Sequence, residues 1–137
     1  LRLVGSEMCI RDRFMITPNR IEAEMLTGIK IVNDADAERV AKEISAMGVQ
    51  NIIVTLGSKG CLVREGDTSY CVDAFKVEPV DTTAAGDTFN GALCVGLAEG
   101  MNLRQSAGMA SKASSVAVTR MGAQSSIPYR KELDLNE

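Results

Sequence analysis

The sequence predicts an α/β fold in which a mostly parallel sheet is flanked by helices. One observation is the β-branched run from Asn51 to Thr55, which is typical of a strand buried on both faces. Another is the stretch from Asp34 to Met47, where apolar residues recur at helical spacing until Gly48 ends the pattern. Alternating strands and helices, followed by two paired helices, indicate a layered α/β domain.

Residues that cap or break regular structure divide the rest of the chain. A short apolar strand at Phe14–Thr17 ends at Pro18. Asn19 then caps a helix at Arg20–Thr27, with Gly28 at its C-terminal end. Further along, the sequence predicts a turn at Leu56–Gly60, a hairpin of Cys61–Arg64 and Ser69–Val72, an extended piece at Phe75–Val80, helices at Thr88–Glu99 and Leu103–Thr119, and a last short helix after Tyr129.

The composition narrows the possible functions. With 137 residues, 45% of them hydrophobic and 24% charged, the chain is long enough for one globular domain with a core. A net charge of −3 without a long basic run argues against a nucleic-acid partner, and no apolar stretch is long enough to span a bilayer. The chain has no histidine, which excludes histidine acid–base chemistry and histidine metal sites in these residues.

The four cysteines form no C-x-x-C pair and fit neither a zinc site nor a compact disulfide framework. Cys61, Cys71 and Cys94 have apolar neighbours in the sequence, so we expect them to be small buried hydrophobic residues. A reducing cytoplasm is the simplest compartment for such a chain.

The run D-T-T-A-A-G-D-T-F-N-G-A-L, from Asp81 to Leu93, is the most informative part of the sequence. A helix beginning near Asp87 or Thr88 would present unpaired N–H groups to an anion such as phosphate. Asp87 could take a proton from a hydroxyl beside that phosphate, or it could simply cap the helix. Three preceding residues have almost no side chain and would let the backbone approach a ligand closely: Ala84, Ala85 and Gly86.

Four ordered segments together resemble the ribokinase-like (PfkB) carbohydrate kinases. Besides the run from Asp81, they are Ile16–Glu24, Val54–Gly60 and Val118–Pro128, and the resemblance extends from Phe14 to the C-terminus. It implies the C-terminal half of a ribokinase-like layered fold in an ATP-dependent sugar kinase. The A-A-G-D form favours phosphorylation of D-ribose to D-ribose 5-phosphate. A fructokinase, a nucleoside kinase, a ketodeoxygluconate kinase and a non-catalytic nucleotide-binding module remain open alternatives.

The resemblance also assigns roles to single residues. Asp87 matches the family's catalytic base and would contact the sugar, and the small residues before it match the anion hole. Lys59 is not a P-loop lysine, because the turn lacks the G-x-x-x-x-G-K-[ST] spacing. By residue type alone, Leu56–Gly60 could be a plain turn and Ser111 a helix contact. The implied ATP-binding residues are Asn19, Thr55, Leu56, Gly57, Ser58, Lys59, Gly60, Gly86, Asp87 and Ser111.

Two metal ions are implied by the same resemblance. Asn19 and Glu22 match an N-x-x-E motif that would order Mg²⁺ through its waters, although their spacing also fits a helix capping box. A monovalent cation, usually K⁺, would lie in a loop that could otherwise be an ordinary turn, and Arg120 could contribute only its carbonyl oxygen. The implied residues are Asp81, Thr83, Ala117, Arg120, Gly122 and Ser126.

The segment Leu1–Arg13 fits nothing that follows it. It looks like a translated sequencing adapter, so we interpret it as non-native, the alternative being a genuine tail. Residues 14–137 would then be the C-terminal nucleotide-binding and catalytic part of a kinase about twice this length. By the resemblance, the N-terminal part would supply most sugar contacts and a small lid through which the full-length protein forms a homodimer.

Overall fold

The computed structural model describes residues 14–122 and 127–133, which divide into two compact units. The first unit runs to Gly57 and includes Cys61–Cys71, and the second consists of Ser58–Gly60 and the chain from Val72 onward. None of the helices in these described residues is both long and apolar enough to cross a membrane.

A four-stranded sheet contains the strands β1 (Met15–Ile16), β2 (Asn51–Thr55), β3 (Cys61–Glu65) and β4 (Thr68–Val72), in that spatial order. β1 pairs with β2 in parallel, and β2 pairs with β3 in antiparallel fashion. The α/β class is therefore confirmed, while the described sheet is mixed rather than mostly parallel. The reason lies in the connection from β2 to β3, which is too short for the crossover that parallel neighbours need.

Two helices cover this sheet in the first unit: α1 (Arg20–Thr27) and α2 (Asp34–Ala46). The three central residues of β2 are fully buried, as the β-branched run predicted. Burying such apolar surface is the main force that holds the layers together. The cluster that joins helices and sheet consists of Ala23, Ile31, Ala37, Val40, Ala41, Ile44, Val49, Ile52, Val54 and Leu62.

The second unit is built on a pair of helices, α3 (Ala85–Ala98) and α4 (Leu103–Val118). Small residues let the two helices approach closely, as a Cβ on Gly96 would lie 2.8 Å from the Ser106 hydroxyl oxygen. Asn102 is the N-cap of α4 and forms a capping box, in which its Oδ1 accepts from the Gln105 N–H at 2.8 Å. The predicted last helix after Tyr129 is a single 3₁₀ turn, Arg130–Glu132.

The predicted start of α3 is wrong. This helix begins at Ala85 rather than at Thr88, because the Ala84 carbonyl already accepts the first helical hydrogen bond from Thr88 N–H at 2.9 Å. The extended piece predicted at Phe75–Val80 forms no strand in the described structure. The Val80 N–H instead donates to the Val118 carbonyl at 2.7 Å, which attaches this segment to the end of α4.

The cysteines also differ from expectation. Cys61 is buried in β3, and burial, with a smaller contribution from Cys71, raises the pKa of its thiol to about 12. Cys71 and Cys94 are exposed, so the prediction that all three are buried is wrong. Cys71 lies on β4, whose residues are all at least partly exposed, and apolar neighbours in sequence do not bury an outer strand.

Candidate active site

The N-terminus of α3 carries donors that the described structure leaves unused. Ala84 is the N-cap residue and provides no side-chain cap. The Ala85 N–H donates to the Thr82 carbonyl at 3.2 Å, but the N–H groups of Gly86 and Asp87 have no acceptor among residues 14–122 and 127–133. Together with the helix dipole, such donors favour a bound anion. The capping alternative for Asp87 is therefore wrong, because the cap position belongs to Ala84.

Asp87 is the third residue of α3, and both it and Gly86 are exposed. A Cβ placed on Gly86 would meet no described atom within 4 Å, so the side of the helix that Gly86 faces is open. An exposed carboxylate therefore stands beside the N–H groups at the start of α3. This arrangement can hold a phosphoryl group and accept a proton next to it.

The loop before α3 is organised by Asp81. One carboxylate oxygen accepts from the N–H of Thr83 at 2.9 Å and from its hydroxyl, and the other accepts from Gly122 N–H at 3.1 Å. The Thr83 hydroxyl, followed by the Thr83 and Gly122 amides, lowers the pKa of Asp81. The Asp81 N–H itself donates to the Val118 carbonyl at 3.0 Å. Three residues predicted for the cation site are thus brought together.

The other residues predicted for the cation site follow α4. The Ala117 carbonyl accepts from Arg120 N–H at 3.1 Å, and the Arg120 side chain pairs with Glu132. Ser126 lies outside the described residues. No cluster of three acidic, histidine or cysteine side chains occurs in the described part of the chain. The K⁺ role of these residues therefore stays a prediction.

In the first unit, Asn19 and Thr55 are adjacent. They form an isolated parallel bridge, and the Thr55 N–H donates to the Pro18 carbonyl at 3.0 Å. Asn19 Oδ1 accepts from Glu22 N–H at 2.9 Å, and Asn19 Nδ2 donates to Glu22 Oε1 at 3.0 Å. The capping box weighed as an alternative is thus present, and the Mg²⁺ role of these two residues stays a prediction.

The predicted ATP-binding turn contains a 3₁₀ segment, Gly57–Lys59, whose Ser58 and Lys59 are exposed. Gly60 has a φ of 87°, in the left-handed region. A Cβ on this residue would overlap the Val72 carbonyl oxygen and lie 2.7 Å from the Ala74 nitrogen. Only glycine fits there without displacing backbone atoms.

Ser111 is buried, and its hydroxyl donates to the Asp73 carbonyl at 3.2 Å. This hydrogen bond joins α4 to the segment after β4 and is not the helix–helix contact weighed as an alternative, while an adenine contact stays a prediction. Sequence reasoning missed Ser114, whose hydroxyl donates to the Ala85 carbonyl at 3.1 Å and so ties α4 to the first residue of α3. A polar residue in an Ala- and Ser-rich helix carries no local sign of such a distant partner.

Comparison with known proteins identifies this chain as part of a carbohydrate kinase. Residues 6–130 match the model of the pfkB family of carbohydrate kinases. The chain belongs to this family. Because the match begins ahead of Phe14, the non-native origin of Leu1–Arg13 stays a prediction.

Three ribokinases illustrate the similarity. The Haemophilus influenzae enzyme is 40% identical over 118 residues, covering 86% of this chain and 39% of the relative. The crystal structure of Thermotoga maritima ribokinase has a TM-score of 0.85 and 40% identity, with 93% of this chain and 43% of that one covered. Arabidopsis thaliana ribokinase complexed with ribose and ATP has a TM-score of 0.87 and 29% identity, with 93% and 41% covered. The chain therefore spans about two-fifths of the length of these relatives.

Proposed function

We propose that the protein containing this chain is an ATP-dependent kinase that converts D-ribose to D-ribose 5-phosphate. The observation that carries this proposal is the exposed Asp87 carboxylate beside two N–H groups, those of Gly86 and Asp87, that lack acceptors in the described structure. Family membership supports the sugar-kinase chemistry, and the three ribokinases support ribose as the sugar.

In this mechanism Asp87 accepts the proton of the sugar's primary hydroxyl as that oxygen attacks the γ-phosphorus of ATP. The new O–P bond forms while the bond to the bridging oxygen breaks, and ADP leaves with the electron pair. The N–H groups of Gly86 and Asp87 donate to the phosphoryl oxygens, where negative charge has to be neutralised. A helix end held in place before the substrate binds would lower the cost of reaching the transition state.

The turn at Thr55–Gly60 is proposed to bind the nucleotide. Its exposed Ser58 and Lys59, bounded by Gly57 and Gly60, offer backbone N–H groups and a short hydroxyl to phosphate and ribose. ATP bound to Arabidopsis ribokinase supports the choice of nucleotide. We include Leu56 and Ser111 in this binding region as the family resemblance implies.

Two ions complete the proposal. The Glu22 carboxylate is partly exposed beside Asn19, which fits Mg²⁺ bound through its waters, and Mg²⁺ neutralises phosphate charge. The oxygens gathered around Asp81 and Gly122 fit a monovalent cation, which would stiffen the loop before α3. We also propose that the full-length protein forms a homodimer, as the family resemblance implies.

The test uses the protein encoded by the complete open reading frame that contains this chain. That reading frame is first sequenced in independently prepared native DNA, through the codon for Phe14 and upstream of it. Asp87→Asn should lower kcat by roughly 10²–10⁴, the usual contribution of a positioned base. The matched control is Asp67→Asn, which removes an exposed acid in the turn between β3 and β4 and should leave kcat unchanged. Near-normal turnover of Asp87→Asn would remove this residue from the mechanism.

The sugar is tested separately by comparing kcat/KM for D-ribose with values for 2-deoxyribose, fructose, ketodeoxygluconate and nucleosides. We expect the highest value for D-ribose. A higher value for another acceptor would overturn the assignment of the sugar and leave the kinase chemistry standing. If no acceptor is phosphorylated but ATP still binds, the chain belongs to a nucleotide-binding module.

A further inference from the structure

The segment that follows α4 is held at both ends by hydrogen bonds. At its start the Arg120 N–H donates to the Ala117 carbonyl at 3.1 Å. Two residues later the Gly122 N–H donates to Asp81 Oδ2 at 3.1 Å, across 41 positions of sequence. Arg120 lies two residues before Gly122, so a constraint on Arg120 limits how far the Gly122 N–H can move.

Arg120 is fixed by Glu132, a residue to which neither the sequence nor the family resemblance assigned a role. Arg120 Nη2 lies 2.6 Å from Glu132 Oε1, and Glu132 Oε2 accepts from the Tyr129 N–H at 2.5 Å. The two side chains are 35% and 31% exposed, so the ion pair is partly withdrawn from water and both carboxylate oxygens have a donor. Such charge-assisted bonds are stronger than those of freely exposed pairs.

We propose that Glu132 is a positioning residue for the catalytic loop. Through Arg120 it holds the backbone of residues 120–122 where the Gly122 N–H meets Asp81. Asp81 in turn holds Thr83, directly before the residues at the start of α3. This inference rests on the proposed function of that loop.

The physical reason is the preorganisation that phosphoryl transfer requires. Donors that neutralise developing charge act best when they are held in place before the reaction. Loss of the ion pair would let residues 120–122 move, which would loosen both the Asp81 carboxylate and the carbonyl oxygens proposed for the monovalent cation. Glu132 acts on this geometry only through Arg120, so its removal should change cation dependence and kcat more than sugar binding.

The test compares Glu132→Gln with Glu38→Gln in the complete protein. Glu38 pairs with Lys42 at 3.5 Å in a more exposed ion pair on α2, so its substitution controls for the loss of a surface charge pair. In Glu132→Gln the K⁺ concentration for half-maximal activity should rise about two- to fivefold, the range that one ion pair supports. The kcat should fall while the KM for sugar stays unchanged, and Glu38→Gln should change none of these. Exchanging the pair, with Arg120→Glu and Glu132→Arg together, should restore part of the loss.

A second readout does not need activity. The amide hydrogens of Thr83 and Gly122, both of which are donated to Asp81, should exchange with solvent about two- to fivefold faster in Glu132→Gln and at the normal rate in Glu38→Gln. If Glu132→Gln lowers Tm but leaves amide exchange and K⁺ dependence unchanged, the residue is merely structural and the proposal is wrong. If the unmodified protein phosphorylates no sugar, the proposed function fails, and amide exchange still decides whether Glu132 positions the loop.

Discussion

The cap region around Asn19 and the loop around Asp81 are both candidate ligand sites, but they are assembled in different ways. Asn19 and Glu22 are joined by hydrogen bonds across three positions of sequence. Asp81 depends on Gly122, 41 positions away, and on the end of α4. The difference teaches that local chemistry suffices to build the first site, whereas the second exists only when the second unit has folded.

The largest effect on stability is expected at Gly60, where an added Cβ would meet backbone atoms that are distant in sequence. Gly60→Ala should destabilise the protein by about 3 kcal/mol or more, because left-handed strain adds to overlap with the backbone at Val72 and Ala74. Gly66→Ala is the matched local change, since its φ is 56° and a Cβ there would meet no described atom within 4 Å. It should cost only about 1–2 kcal/mol.

Urea unfolding of both glycine variants provides the free energies of unfolding. Equal losses in the two variants would mean that the long-range packing at Gly60 contributes nothing beyond backbone strain. That result would remove the distinction between local and distant contacts at this turn.

The contribution of the Asp81 loop to the stability of the fold should depend on pH in the acid range. The hydrogen bonds from Thr83 and Gly122 lower the pKa of Asp81 in the folded protein below its ordinary value of 3.8. The charged carboxylate therefore stabilises the fold fully above pH 3.8, and this contribution is lost as the pH falls through the lower folded-state pKa. Asp81→Asn should thus have a lower Tm than the parent at pH 7, with the difference shrinking below pH 4.

Thermal unfolding followed from pH 7 down to pH 3 measures this difference. Asp73→Asn, which removes another acid of the second unit, is the control for the loss of one negative charge. A Tm difference between Asp81→Asn and the parent that stays constant over this whole range would show that the carboxylate charge does not hold the loop.

The smallest effect expected is at the caps. Asn19→Ala and Asn102→Ala each remove the side-chain acceptor of a complete capping box, and each should cost about 1 kcal/mol of stability. If Asn19 also helps to order Mg²⁺, its variant alone should need more Mg²⁺ for half-maximal activity. Matching Mg²⁺ requirements in the two variants would reduce Asn19 to a helix cap.

Several elements could be predicted because their determinants are local. The cap at Asn19, the end of α1 at Gly28 and the buried strand Asn51–Thr55 were all predicted at the correct residues. The short connection between β2 and β3 already implied antiparallel neighbours, so the mixed sheet could have been recognised from its length. The start of α3 was missed because Ala84 carries no polar side chain that marks an N-cap.

The candidate site was less accessible to prediction. Asp87 and the small residues before it were identified because their types suit an anion and a base. The partners that hold them were not identified, since Ser114 and Glu132 lie far from Ala85 and Arg120 in sequence and belong to ordinary residue types. Hydrogen bonds of this kind follow from tertiary packing and leave no periodicity in the sequence.

Burial of Cys61 in β3 has a practical chemical consequence. With a pKa of about 12, its sulfur remains a protonated thiol at neutral pH and is a poor nucleophile. Alkylating reagents should therefore modify the exposed Cys71 and Cys94 first and reach Cys61 only when the sheet opens. The rate at which the Cys61 thiol is alkylated then reports on opening of β3 from its neighbours, without an engineered cysteine.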